Sequence, residues 1–244
     1  MKRVAQAAGL VPGIVCAILG FARPALATTV QIRDAVGGES ATGEPGWYFL
    51  TGTGSISSGT FNNGSFGDLR GGTYAFDADY GAGWVPLRTY CLQPDEGIGF
   101  GMNNGGAVGI PYELTTLDQF PGLTPADQNL IETLWANAFT DSQTSREKAA
   151  AFQMIVWEAV RDGNVNLTAD SFRLNGGDPF TAGVLAQTQQ WVNNIEGGEW
   201  TSRIPLMLLT NPTSQDFLTP VPEPATISLL VLGGAAAVLR RRKP

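Results

Sequence analysis

Residues 149–160 read Ala-Ala-Ala-Phe-Gln-Met-Ile-Val-Trp-Glu-Ala-Val, and ten of these twelve residues are apolar. A helix that is apolar on nearly every side has to be buried, because it offers no face to water. Gln153 and Glu158 are the two polar exceptions. A buried carboxamide costs about 1–3 kcal/mol for each polar group left without a partner. The segment therefore predicts a buried helix in which Gln153 requires a hydrogen-bonding partner, most simply a neighbouring backbone.

Two more helices are predicted around this one. Thr124 is a favourable N-cap followed by a proline, which predicts a helix over 125–139. The buried helix is expected to begin near 144 or 145 and to run to about 161, where Gly163 follows its end. Apolar residues at helical spacing predict a third helix over 181–195.

The rest of the body has the pattern of β structure. From residue 28 to about 112, short apolar runs alternate with clusters of Gly, Asn and Ser, which predicts strands at 29–32, 47–50, 73–76 and 84–92. A possible strand at 171–174 lies within a variable loop, and a final buried strand is expected at 204–209. The predicted fold class is α+β, with a β-rich body, a sandwich or barrel-like in form, and a packed helical part of about three helices.

Composition excludes several classes of function. The chain has 244 residues, no histidine and a net charge of −7. Without histidine there is no Ser-His-Asp triad, no Cys-His dyad and no imidazole zinc site. An acidic chain lacks the basic footprint of a nucleic-acid binder. Abundant glycine and sparse charge are typical of a loop- and strand-rich exported protein.

The N-terminus has the features of a secretory signal peptide over residues 1–27. Lys2 and Arg3 precede an apolar stretch at 8–21, and Ala25 and Ala27 form a small-x-small cleavage site. The mature chain is expected to begin near residue 28. Only one cysteine, Cys91, then remains, so no internal disulfide can form.

The C-terminus has three parts in a fixed order. Pro222-Glu223-Pro224 precedes an apolar run at 225–239, and the chain closes with the basic residues Arg240, Arg241, Arg242 and Lys243. The run is near the lower length limit for a bilayer span, and the basic cluster favours a cytoplasmic end. A plain membrane anchor is one interpretation. The order of the parts resembles the PEP-CTERM sorting signal of Gram-negative bacteria, which implies processing by an exosortase and transfer from the inner membrane to the cell surface or extracellular matrix.

Processing at both ends would change the charge of the protein. The signal peptide and tail carry seven of the fifteen basic residues. The mature body would have a net charge of roughly −13 to −14, which keeps it soluble and repels nucleic acid. Its only lysine would be Lys148.

Two short segments carry a second resemblance. Tyr90-Cys91-Leu92 ends a strand-like run, and Phe152-Gln153-Met154-Ile155-Val156-Trp157-Glu158 lies on the buried helix. Together they resemble the thioester domain of bacterial surface adhesins, which has an aromatic-Cys pair on a strand and a Gln-x-Ala-Ile-Trp-type segment on a helix. Here Ile155 takes the alanine place and Val156 the isoleucine place. The resemblance covers about residues 85–210.

The resemblance implies that Cys91 is the thiol and Gln153 the acyl donor of an internal thioester. Tyr90 and Trp157 would then wall the bond, or serve as core aromatics. Glu158 would polarise a nucleophile, or pair with Arg161 at the helix edge. A target bearing an amine or hydroxyl would be attached covalently in a single-use reaction, so the protein is not expected to be an enzyme and needs no cofactor.

This interpretation divides the chain into a signal peptide at 1–27, a thioester-like domain at 28–210, a linker at 211–220 and the sorting signal at 221–244. Two other hypotheses stay open. In a non-covalent structural or binding module, Cys91 and Gln153 are packing residues. An amidase or acyl-transfer enzyme is the third, and here Cys91 would lack a histidine base.

Two acidic pairs, Asp77 with Asp79 and Asp95 with Glu96, offer oxygen ligands for calcium. Neither pair has the full loop spacing, so solvated loop carboxylates are expected and no metal site is predicted. Nothing in the sequence places two carboxylates across a cleft, as glycoside hydrolysis requires.

Overall fold

A computed structural model describes residues 29–34, 71–81, 83–93, 96, 109–167 and 179–221. They form six strands and three α-helices, in the order β1 (Thr29–Asp34), β2 (Tyr74–Asp79), β3 (Trp84–Thr89), β4 (Ile110–Thr116), α1 (Pro125–Ser142), α2 (Arg146–Asp162), α3 (Pro179–Glu196), β5 (Leu206–Asn211) and β6 (Ser214–Pro220). A short 3-10 helix (Leu117–Gln119) follows β4. The α+β class and the three predicted helices are confirmed.

The six strands form one antiparallel sheet in the order β3-β2-β1-β4-β5-β6. Its two edges meet just after β3. The Leu92 N–H donates to the Asp216 carbonyl at 3.0 Å, and the Leu218 N–H donates to the Tyr90 carbonyl at 3.0 Å. A single curled sheet joined at one end corresponds to the barrel-like form of the prediction, because pairing two edges requires the sheet to roll up.

The concave side of the sheet is filled by aromatic side chains. Burial alternates along β2, with Tyr74, Phe76 and Ala78 buried and their neighbours partly exposed. The Phe217 ring lies 5.4 Å from the Tyr74 ring and 5.1 Å from the Phe76 ring, both in edge-on geometry. Phe217, on the edge strand β6, therefore packs across the inside of the sheet against β2.

Helix α2 packs against α1 on one side and α3 on the other. All residues from Ala149 to Ala159 are buried, as the apolar segment predicts. Local signals set the ends of the helices. Thr124 and Asp127 form a capping box at α1, while the Ser145 side chain caps α2 and Gly163, at φ 66°, ends it.

The linker predicted at 211–220 is wrong for most of its length, because β6 occupies Ser214–Pro220. Ser214, Gln215 and Asp216 are polar, yet residues 214–219 are buried. The strand is buried because β5 pairs with it along one edge and Tyr90–Leu92 along the other. Gln93 and Asn211 donate to the Asp216 carboxylate, and Gln215 Nε2 donates to the Gln93 carbonyl.

Several other predictions fall outside the described residues. They are the signal peptide at 1–27, the strand at 47–50, the possible strand at 171–174, Asp95, and the apolar run at 225–239 with its flanking Pro-Glu-Pro and basic residues. In the described ranges, no helix combines the length and hydropathy needed to cross a membrane.

Candidate functional site

Cys91 lies at the point where the two edges of the sheet meet. It forms an isolated antiparallel bridge with Phe217 and is completely buried. The interstrand hydrogen bonds are made by its neighbours, Tyr90 and Leu92. In an antiparallel pair, the residue between two such bonds directs its own N–H and C=O away from the partner strand. The backbone of Cys91 therefore needs partners from elsewhere.

Gln153 supplies both partners. The Cys91 N–H donates to Gln153 Oε1 at 3.1 Å, and Gln153 Nε2 donates to the Cys91 carbonyl at 2.8 Å. Gln153 is completely buried, and 62 residues separate it from Cys91. Its carboxamide thus takes the place of a neighbouring strand at this position. The structure brings together the two residues that the sequence singles out.

Trp157 lies one turn after Gln153, and its indole Nε1 donates to Cys91 Sγ at 3.2 Å. Only 1% of Trp157 is exposed. An indole N–H can only donate, so the sulfur is the acceptor in this contact. Trp157 is therefore a direct partner of the sulfur as well as a core aromatic.

The backbone at Gly71 lies close to the Cys91–Gln153 pair, and sequence reasoning did not identify this glycine. A Cβ built at Gly71 would lie 2.4 Å from Met154 Cε, 3.1 Å from Trp157 Cζ3 and 3.2 Å from Gln153 Cγ. A side chain would have to displace these atoms, so glycine allows the backbone to approach α2 this closely. This contact keeps water away from the Cys91–Gln153 pair.

Tyr74 is a second residue that sequence reasoning missed. Its ring meets the Phe217 ring edge-on at 5.4 Å, and Phe217 is the bridge partner of Cys91. Burial, followed by the neighbouring Cys91, raises the pKa of Tyr74 well above its ordinary value. The phenol is therefore neutral at physiological pH. The alternation of β2 would have placed Tyr74 inside the sheet, but only the folded structure sets it against Cys91.

A network of side-chain amides and one carboxylate adjoins the sulfur. Cys91 Sγ lies 3.9 Å from the Gln93 carbonyl, to which Gln215 Nε2 donates at 3.1 Å. The Gln93 side chain donates to Asp216 Oδ2 at 2.9 Å and accepts from the Asp216 N–H at 2.7 Å. Burial raises the pKa of Asp216. This network holds the segment that follows Cys91 against β6.

Tyr90 points its hydroxyl away from Cys91, towards the end of α1. The hydroxyl donates to Ser142 Oγ at 2.6 Å and accepts from Thr73 Oγ1 at 2.9 Å and from Gln143 Nε2 at 3.2 Å. Its ring stacks on Phe152 at 4.1 Å. Tyr90 thus packs the core beside the pair, in line with its interpretation as a core aromatic.

Glu158 is completely buried, and its Oε1 accepts a hydrogen bond from the Asn166 N–H at 3.1 Å. Glu158 follows Gln153 by five positions, so the two side chains leave α2 in different directions. This hydrogen bond connects Glu158 to the segment that follows α2.

The carboxylates considered for calcium have protein partners. Asp77 Oδ2 lies 3.2 Å from Arg33 Nη2, and Asp79 Oδ1 accepts from the N–H groups of Gly81 and Gly83 at 2.8 Å and 2.9 Å. Within the part of the chain that the structure describes, no group of three or more potential metal-ligand residues occurs. Asp77 therefore forms an ion pair with Arg33, and Asp79 stabilises the turn that follows β2.

Comparison with known proteins identifies the C-terminus. Residues 220–243 match the family model described as the PEP-CTERM protein-sorting motif, in agreement with the boundary predicted at 221–244. No curated protein and no solved structure matches the chain. The similarity of the body to thioester domains therefore stays a prediction. The matched motif supports export of the chain and its sorting to the cell surface by an exosortase.

Proposed function

We propose that this exported protein forms an internal thioester between Cys91 and Gln153 and uses it to attach covalently to a target. The target would carry an amine or a hydroxyl and would lie at the cell surface or in the extracellular matrix. The reaction is used once per molecule, so the protein is not a turnover enzyme.

The observation that carries the proposal is the paired hydrogen bonding of the Gln153 carboxamide with the Cys91 backbone, at 3.1 Å and 2.8 Å. This pairing holds an electrophilic carbon beside the residue that bears the thiol. Holding two reacting groups together lowers the barrier, because the entropy cost of bringing them together is met by folding.

The chemistry balances without a cofactor. The thiol of Cys91 adds to the carboxamide carbon of Gln153, the C–N bond breaks, and ammonia leaves with the thiol proton. A target amine later adds to the same carbon. The C–S bond then breaks, the thiol is restored, and an amide joins Gln153 to the target.

The surroundings protect such a bond. Cys91 and Gln153 are fully buried, Trp157 is 1% exposed, and Gly71 packs closely against α2. A dry, apolar site slows hydrolysis of a reactive intermediate. The single lysine of the predicted mature body, Lys148, lies at the start of α2 and forms a salt bridge with Asp141 at 2.6 Å. This contact supports the proposal because it engages the internal amine that would compete with a target.

A non-covalent module is the second candidate, and the same pairing favours it. Both polar groups of the Gln153 carboxamide already have partners in the unreacted amide form. A glutamine that completes the hydrogen bonding of a strand end needs no further role. In that case the protein is a structural or binding component of the surface or matrix.

Peptide mapping and intact mass of the full chain, purified from cells that export it, distinguish the two candidates. A thioester lowers the mass by about 17 Da, as ammonia is lost, and joins the peptide containing Cys91 to that containing Gln153. Cys91→Ala is the matched control and should show neither change. A full mass and a titratable thiol in folded wild-type protein would overturn the covalent proposal and leave the non-covalent module.

A further inference from the structure

Helix α2 holds Cys91 at two points. Gln153 pairs with the backbone N–H and C=O of Cys91 at 3.1 Å and 2.8 Å, and the Trp157 indole Nε1 donates to Cys91 Sγ at 3.2 Å. Residues four positions apart lie on the same face of a helix, one turn from each other. One helix face therefore fixes both the main chain of Cys91 and its sulfur, and the same face carries the carboxamide of the proposed acyl donor.

We propose that Trp157 is a catalytic residue of this site, whose indole N–H stabilises Cys91 Sγ while the C–S bond of the thioester forms or breaks. This inference rests on the proposed thioester. It goes beyond the two roles that the sequence offers for Trp157, a wall of the bond or a core aromatic. It requires only the described contact with the sulfur, whatever other groups also lie near Cys91.

The bond changes balance without a proton from Trp157. During capture, the target amine adds to the Gln153 acyl carbon, the C–S bond breaks, and its electron pair passes to the sulfur. A proton then leaves the attacking nitrogen and restores the thiol. A thioester sulfur carries little charge, whereas a departing sulfur becomes negative. The indole hydrogen bond is therefore strongest in the transition state, and such differential binding accelerates the reaction.

Packing holds the indole in position before any reaction takes place. Trp157 is 1% exposed. A Cβ built at Gly71 would lie 3.1 Å from Trp157 Cζ3, so the backbone at Gly71 packs against the six-membered ring of the indole. Close packing leaves the ring little room to turn away from the sulfur. A donor that is already in place costs no reorganisation when charge develops, and burial keeps water from screening it.

Two changes at position 157 remove the N–H. Trp157→Phe also reduces the ring, whereas 3-benzothienylalanine, introduced at position 157 alone, has sulfur in place of the N–H and keeps the size of the indole. Trp135→Phe is the matched control. Trp135 is 4% exposed, and its ring packs against Tyr90, Phe139 and Phe152. Each variant is made in the full chain, and thermal unfolding checks that it folds.

The readouts are the rate of ammonia loss and the rate of methylamine addition to Gln153, both followed by mass. Both reactions pass through formation or cleavage of the same C–S bond, so both rates should fall in the two position-157 variants. We expect a decrease of roughly 10- to 100-fold, the range for one hydrogen bond to a charged group. Trp135→Phe should leave both rates unchanged.

The benzothienylalanine protein decides the role of the N–H, because it differs from the wild type in that group and not in the size of the side chain. Wild-type rates in this protein would overturn the role of Trp157 and leave the thioester in place. A wild-type protein without the mass loss of about 17 Da would overturn the thioester, and the role of Trp157 with it.

Discussion

Two buried polar clusters lie on either side of the same strand end and differ in chemistry. The Tyr90 cluster contains hydroxyls and an amide from Thr73, Ser142 and Gln143. The Cys91 cluster contains a thiol, a carboxamide carbon and an indole donor. In both clusters the central residue is completely buried and has hydrogen-bond partners. Burial and satisfied hydrogen bonds therefore do not separate a packing cluster from a reactive one. The proposed reactivity of the Cys91 cluster rests on the residue that bears the thiol lying next to the carboxamide.

The largest effect is expected from Cys91→Ala, which removes the nucleophile and leaves the Tyr90 cluster intact. Methylamine incorporation at Gln153 should fall to background, because no thioester can form without sulfur. Mass spectrometry after incubation with methylamine measures this. Equal incorporation in the variant and the wild type would remove the chemical distinction between the two clusters.

Gln153→Leu should cause the largest loss of stability. In the Cys91→Ala background, where Gln153 keeps its amide, Gln153→Leu leaves the backbone N–H and C=O of residue 91 without their partners, at a cost of about 1–3 kcal/mol for each buried group. Urea unfolding measures the change in the free energy of unfolding. Met154→Leu, a neighbouring buried position with an apolar exchange of similar volume, is the control and should cost less than about 1.5 kcal/mol. Similar values for both variants would mean that the Gln153 pairing contributes little.

Gly71→Ala tests the cover over the Cys91 cluster. The added methyl group meets Met154 and Trp157, and such overpacking costs about 1–3 kcal/mol. Because the displaced atoms border Gln153, hydrolysis of the thioester should also become faster. Unfolding by heat and the recovery of free thiol with time report the two effects. Gly183→Ala, on α3, is a suitable comparison, since the nearest contact of its Cβ would be an ordinary 3.5 Å.

Tyr90→Phe tests the packing cluster in the same way. It removes one hydroxyl, but Gln143 Nε2 keeps its bonds to Thr73 Oγ1 and Ser142 Oγ, so we expect a loss of about 1 kcal/mol. Methylamine capture in this variant should equal that of the wild type. A loss of capture with little change in unfolding would place the Tyr90 hydroxyl in the reactive cluster instead.

The smallest effect is expected from Lys148→Gln. Its salt bridge with Asp141 is partly exposed, and exposed ion pairs contribute about 0–1 kcal/mol. The variant should unfold within that range of the wild type and should form the same thioester. A rise in the yield of intact thioester would show that Lys148 consumes the bond despite its salt bridge.

Much of the helical part could be predicted from sequence because its signals are local. The caps at Thr124, Ser145 and Gly163, and the apolar run between them, depend on neighbours within one or two turns. The sorting motif at 220–243 is likewise a linear pattern, and its match needs no fold. Strand β6 escaped prediction because its polar residues are buried only through pairing with two distant segments.

The sequence by itself determined that α2 is buried, that Gln153 needs a partner, and that Cys91 is the one cysteine left after signal-peptide removal. Only the tertiary structure decided that the Gln153 carboxamide and the Cys91 backbone are hydrogen-bond partners. The curled sheet joins its edges at Cys91, so the backbone there faces α2 rather than another strand. The same long-range packing places Tyr74 and Gly71 near this pair. Sheet closure and helix packing set contacts between residues that are far apart in the chain, and no local pattern encodes such distances.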